Sequence, residues 1–166
     1  MTVKSVNDLL LNELRDIYHA EKQLVKALPK MAKKSKSDEL RQAFEHHLEE
    51  TKGQVDRLDQ VFEHLNARSS GKRCEAMEGL IEEAKEMMEE ISTPEVLDAA
   101  MIAAAQKVEH YEIASYGSVQ ALAEALGHKE AAQLLEQTLE EEKQADQKLN
   151  KIALSGVNQT ALKAAA

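Results

Sequence analysis

Tryptophan is missing from this chain, and with two phenylalanines and three tyrosines set against abundant Ala, Leu, Glu and Lys, the composition favours long helices over a sheet. A lone cysteine, Cys74, excludes an internal disulfide. No stretch reaches the roughly 18 uninterrupted apolar residues that a membrane-spanning helix requires. Basic residues never cluster beyond Lys33-Lys34 and the net charge is −9, which argues against nucleic acid or an anionic membrane as partner. The N-terminus has no signal-peptide-like apolar stretch, so the expected compartment is the cytoplasm. What remains is an all-α protein of one domain, 166 residues, long enough to bury its own core. Its acidity suits a cation binder, although a solvated acidic surface is the commoner cause.

Against that background two residues stand out. Leu10, Leu14, Ile17, Tyr18, Glu21, Leu24, Val25 and Leu28 step by three or four and share one helix face, with Glu21 at its centre. Met101, Ala104, Ala105, Val108, Glu112, Ser115, Val119 and Leu122 do the same around Glu112. A carboxylate moved from water into an apolar core costs several kcal/mol unless it is paired or coordinates a metal. Two at equivalent positions call for one explanation.

The first helix is expected from Ser5 or Asn7 to about Lys34, with Asp8 in its first turn and Pro29 interrupting or kinking it. Ser35 to Glu39 reads as a tight turn and N-cap, returning a second helix, about 38 to 66, antiparallel to the first. After a loop at 67–73, a crossover helix covers Cys74 to Ile91, and its Met-rich stripe reads as gap-filling core or a docking face. Thr93-Pro94-Glu95 is a helix start, opening a third long helix that ends near Leu126-Gly127. A fourth long helix covers about 129 to 154. The bundle thus spans about 5–155, and the tail from 156 to 166 is expected to fray.

The chain repeats itself. Shifting it by 91 residues superposes Glu21 on Glu112 and Glu50 on Glu141, together with His19 on His110, Glu39 on Glu130, Leu48 on Leu139, Glu49 on Glu140, Lys52 on Lys143 and Leu58 on Leu149. Each half is then one antiparallel hairpin, in which residues equidistant from the turn lie level, here roughly 14 residues or 20 Å from it. Stacking the halves brings four carboxylates into one layer. His47 precedes Glu50 by three and Glu109 precedes Glu112 by three, which adds an imidazole and a fifth carboxylate. Like charges this close demand protonation or a counter-charge, and two divalent metals would supply it. Helical bundles hold carboxylate-bridged iron or manganese pairs with Glu from facing helices and Glu plus His at a spacing of three. Glu142 and Asp146 are rival carboxylates on the fourth long helix, and the repeat favours Glu141.

The stretches Ala20 to Leu24, His47 to Thr51, Cys74 to Leu80 and Ala105 to Tyr116, above all Glu109-His110-Tyr111-Glu112, resemble the YciE/YciF family of bacterial stress proteins, a ferritin-like group related to rubrerythrins. The resemblance covers about residues 5 to 155. It implies a ferritin-like four-helix bundle of two hairpins joined by a crossover helix, homodimerisation, and a di-iron-type site carried by Glu21, Glu50, Glu109, Glu112 and Glu141. The chain departs from the wider ferritin-like pattern of Glu-x-x-His: Gly53 follows Glu50 at that spacing and Gln144 follows Glu141, while His47 lies on the other side of Glu50.

The expected function is therefore a non-haem di-iron or dimanganese protein that reacts with peroxide or dioxygen under stress. No Cys-x-x-Cys pair supplies an internal electron-transfer module, so an external electron donor is expected. Rival readings are a structural or partner-binding bundle with a vestigial site and a catalase-like dimanganese enzyme. His19 and His110 lie off the core stripe and are expected to play surface or supporting roles. Tyr18 and Tyr116 flank the carboxylates by one turn and read as packing residues with hydroxyls available for hydrogen bonds.

Overall fold

A computed structural model of the chain describes residues 2–164, and among these there is no strand. The helices are α1 (Val6–Lys34), α2 (Asp38–His64), α3 (Glu75–Glu90), α4 (Pro94–Ala125), α5 (Lys129–Ile152) and α6 (Asn158–Ala164), with a π-helical turn, Ala153–Val157, between the last two. The pairs α1/α2 and α4/α5 are antiparallel hairpins that pack on each other through α2 against α5 and α1 against α4, giving the ferritin-like four-helix bundle. The crossover helix α3 lies outside it, against α1 and α4.

Local chemistry fixes the ends. Ser5 caps α1, its Oγ accepting the Asp8 amide proton at 3.0 Å. The helix then continues past Pro29 to Lys34. Pro29 is exposed and Val25, whose carbonyl loses its helical donor, is only partly buried, so the lost bond does not stop the helix. At the end of α4, Gly127 adopts φ +80° and His128 N–H returns to the Ala123 carbonyl, a left-handed stop that favours glycine. Thr93 holds the cap position of α4 without a side-chain bond. A clamp between hairpins does more: the buried Asp98 carboxylate of α4 accepts the backbone amides of Lys36 at 2.9 Å and Ser37 at 2.7 Å, tying the α1–α2 turn to the other hairpin. The crossover is pinned similarly, with the Cys74 amide donating to His19 Nδ1 at 3.0 Å and the Tyr111 hydroxyl lying 3.0 Å from Cys74 Sγ and donating to Asp16 at 2.7 Å.

The described part of the tail differs from the fraying expected of it. The wide π turn inserts a residue, and Val157 and Ala161, one helical turn apart, are buried as α6 packs on α4. Residues 165–166 lie outside the described residues.

The core comes in two pieces. One cluster holds Leu24, Leu28, Leu40, Phe44, Met101, Val108 and Leu149; the other holds Leu10, Leu14, Ile17, Leu58, Phe62, Tyr116, Val119 and Leu135. Between them, on every bundle helix, the inward positions are polar: Glu21; His47, Thr51 and Gln54; Glu109 and Glu112; Thr138 and Glu142.

Asp98→Ala is expected to lower stability by about 2–3 kcal/mol, because two amides of the turn lose a charged acceptor. A urea titration reads this as a lower midpoint at unchanged slope; a midpoint like that of the wild type would show that the clamp does not hold the hairpins together.

Candidate metal centre

The stripe that buries Leu14 and Leu24 must also bury Glu21, which is fully inaccessible. The same logic on the other helices carries His47 from α2, Glu109 and Glu112 from α4 and Glu142 from α5 inward. One ligand atom from each of these last four lies within 4.8 Å of all the others. His47 Nε2 stands 3.4 Å from Glu109 Oε1 and 3.7 Å from Glu142 Oε2. Glu21 Oε1 accepts the Tyr116 hydroxyl at 2.5 Å, which leaves Oε2 over.

Of the six residues expected to form the layer, Glu21, His47, Glu109 and Glu112 are buried together. Glu50 and Glu141 are not. Both sit on the flank, each with 29 % of its side chain exposed. Glu141 is bound bidentately by Arg57, at 2.8 and 2.9 Å, and by the Gln54 amide at 3.1 Å. Its expected place is a correction, for the carboxylate that α5 sends inward is Glu142. The repeat itself is faithful, since Glu50 and Glu141 are equivalent; however, the equivalent position is not the core-facing one. The inward pair at the same level is Thr51 and Glu142, also 91 apart. A walk in steps of three, four or seven along α5, through Leu135, Thr138, Glu142, Leu149 and Ile152, picks out Glu142 by the rule that picked out Glu21. The other rival, Asp146, bonds Gln106 at 3.1 Å and approaches His110 at 3.4 Å on the half-exposed side.

Glu50 stands outside the buried layer and meets His47 from the flank. Its Oε2 lies 3.4 Å from His47 Nδ1. With the Nδ1 proton directed at Glu50, the lone pair on Nε2 points at Glu109 and Glu142, the orientation in which a carboxylate-supported histidine binds a metal. Thr51 Oγ1 donates to the His47 carbonyl at 2.7 Å and Tyr116 holds Glu21, so the ligand-type groups are fixed by their neighbours.

The charges explain the chemistry. Burial pushes the Glu21 carboxyl up to about 8, helped by the charge of Glu142 and opposed by the Tyr116 bond. Burial likewise takes Glu109 to about 8, with the contact to Glu142 opposing and the Glu21 charge adding. Glu112 and Glu142 rise well above the usual carboxylate range, again chiefly through burial. For His47 burial pulls down, but the Glu50 bond and the charges of Glu142 and Glu21 prevail and raise it. Without a counter-charge, this cluster holds itself together with protons.

The donor set fits a transition metal. Within the cluster, the buried ligand atoms without a hydrogen-bond partner are Glu21 Oε2, His47 Nε2, Glu109 Oε2 and both oxygens of Glu112 and of Glu142. Such orphans are rare and costly in native proteins. Here they converge on one layer as hard oxygens plus one imidazole nitrogen, a set suited to iron or manganese.

Fold and layer together define a helical bundle protein whose core is interrupted by a metal-competent carboxylate cluster. The chain belongs to the family described as domain of unknown function DUF892, whose profile matches residues 5–162. It is similar to Protein YciF of Escherichia coli strain K12, with 54% identity over 162 residues, 97% of this chain and 98% of the relative. The solved structure of that E. coli stress protein YciF superposes with a TM-score of 0.90 over 94% of this chain and 99% of the other, at 54% identity. YcfI from Rhodopseudomonas palustris superposes with a TM-score of 0.88 at 52% identity, over 89% of this chain and 94% of that one. No helix among the described residues is long and apolar enough to cross a membrane.

The raised carboxyls make metal-free protein sensitive to pH. Folded-state values of about 8 for Glu21 and Glu109, against 4.5 ordinarily, mean that the protonated fold is favoured. That stability is complete below about pH 4.5 and is lost as pH rises through 8, so the thermal midpoint of chelator-treated protein should fall between pH 5.5 and 8.5. Glu21→Gln should flatten this slope; an unchanged slope in the variant would refute the assignment of Glu21 to the cluster.

Proposed function

We propose that this protein holds a pair of iron or manganese ions in the layer formed by Glu21, His47, Glu109, Glu112 and Glu142 and reacts there with peroxide or dioxygen under stress. The observation that carries the reading is the convergence of seven buried, partnerless ligand atoms from four helices. When bound, such a pair supplies Lewis acidity and a reversible change of oxidation state. The chain's own residues do the rest. Glu21, Glu109, Glu112 and Glu142 neutralise the cations, and with them bound, the carboxylates no longer need the protons that burial forces on them. Glu50 orients His47, and Tyr116 fixes one oxygen of Glu21 while leaving the other to turn inward. Leu24, Phe44 and Met101 above the layer and Leu14, Phe62 and Val119 below it keep bulk water out. A cavity of about 20 Å³ reaching His47, Glu50 and Glu109 has room for about one water-sized molecule, the scale of dioxygen or peroxide.

The single thiol, Cys74, is buried and caps α3, so reducing equivalents come in this reading from an external electron donor to a cytoplasmic homodimer. A role in stress accords with the description of the E. coli relative as a stress protein. The second reading, a structural bundle whose layer stays protonated, draws on the description of the R. palustris relative as a candidate structural protein.

Elemental analysis of protein purified aerobically without chelator separates them. About two iron or manganese per chain are expected, with most of the metal lost in Glu112→Ala and Glu142→Ala and retained in Glu141→Ala. Wild-type protein that arrives empty and refuses both added ions favours the structural bundle, and metal loss in Glu141→Ala equal to that in Glu142→Ala would overturn the ligand set. Release of oxygen from peroxide without a reductant would direct the reading to catalase-like manganese chemistry.

A further inference from the structure

The cluster is sealed, yet a metal ion must reach it, and the small cavity between α2 and α5 offers a graded path. Exposure of the side chains that line it falls from 62 % at His46 to 29 % at Glu50, 8 % at His47 and 3 % at Glu109. A single oxygen, Glu50 Oε2, lies 3.2 Å from His46 Nδ1 and 3.4 Å from His47 Nδ1, so one carboxylate is held between a surface imidazole and a buried one. With its Nδ1 proton turned to Glu50, His47 presents its Nε2 lone pair towards the cluster, where that atom and Glu109 Oε2 have no hydrogen-bond partner, while the Nε2–H tautomer of His46 turns its Nδ1 lone pair to the same Glu50 oxygen.

The repeat says what the other flank does with the same position. Glu141 is the counterpart of Glu50, and Arg57, which closes over Glu141 with two bonds, is 91 residues before Lys148. Lys148 therefore stands to Glu50 as Arg57 stands to Glu141. It lines the cavity beside Glu50 but does not close on it; the partners of Glu50 are imidazoles, which can be neutral ligands as well as donors. One flank is plugged by a permanent cation, and the other is left for an exchangeable one.

We propose that His46 and Glu50 form a transit site at which a divalent cation is captured and passed to His47 and Glu109, and that Lys148 is the competing charge that regulates its entry. The proposal rests on the metal-binding reading of the cluster. Capture uses His46 Nδ1 and Glu50 Oε2, which lie 3.2 Å apart, a spacing at which one cation is held by both. Transfer needs only the Glu50 carboxylate to swing inward, after which His47 and Glu109 take the ion and Glu50 returns to His46.

Cobalt(II) chloride added to chelator-treated full-length protein tests this, with uptake followed through the visible absorption of coordinated cobalt. His46→Ala and His46→Gln should load several-fold more slowly than wild type to the same final stoichiometry. Lys148→Glu should load about tenfold faster at low ionic strength, with the gain shrinking as salt is added. His46 and Lys148 are both exposed, so neither change threatens the fold. Equal rates for all variants at equal final loading would overturn the transit site while leaving the cluster assignment standing. A wild-type protein that binds no cobalt would overturn the cluster reading, and the transit site with it.

Discussion

Four carboxyl groups, those of Glu21, Glu109, Glu112 and Glu142, share one buried cross-section of this bundle, and the cost of keeping them there shapes the rest of the molecule. An isolated ionised carboxylate in such surroundings is penalised by several kcal/mol, so the layer is tolerable only protonated or neutralised by cations. The apolar core must therefore come in two pieces, and each has to be good enough to hold the helices in register across a gap where hydrophobic burial contributes nothing. Leucines and aromatics are concentrated just above and below it, with Phe44 on one side and Phe62 and Tyr116 on the other. The Asp98 clamp and the network of His19, Cys74, Tyr111 and Asp16 then tie the hairpins and the crossover together by polar contacts that do not pass through the layer.

How much of this is legible in the sequence depends on which residues are asked. The four bundle helices and the crossover, with their order and pairing, follow from periodicity and from Ser5, Pro94 and Gly127, because caps and turns are local chemistry. Glu21 and Glu112 are legible for a different reason: a charge in the middle of an apolar stripe is a contradiction that only the tertiary structure resolves. Glu141 misleads because internal symmetry specifies which positions are equivalent, not which way they face. Glu50 and Glu141 are equivalent to the residue, and both face the flank. Applying to α5 the periodicity that exposes Glu21 yields Glu142. Thr51, Gln54 and Thr138 complete the polar layer without any signal of their own, since a small polar residue on an inner face is unremarkable until its neighbours are known. The order of α6 is likewise invisible beforehand, for it depends on a π turn that rephases Val157 and Ala161 on to α4.

The pseudo-symmetry of the two hairpins ends at their flanks, and there the difference is chemical. On one flank Glu141 meets a guanidinium, a bidentate donor that is charged at every accessible pH and cannot ligate a metal. On the other, Glu50 meets two imidazoles, and its own carboxyl is held below the usual range because their bonds outweigh its partial burial. A repeat of this kind supplies the scaffold twice, but a buried site needs only one way in. Arg57 closes one flank over Glu141, whereas on the other the exposed His46 and the half-buried Glu50 lie beside the small cavity that reaches His47 and Glu109. The asymmetry of four side chains, Arg57 and Lys148 with Glu141 and Glu50, gives the doubled hairpin one closed flank and one from which a small cavity reaches the cluster, and the proposed route rests on that difference.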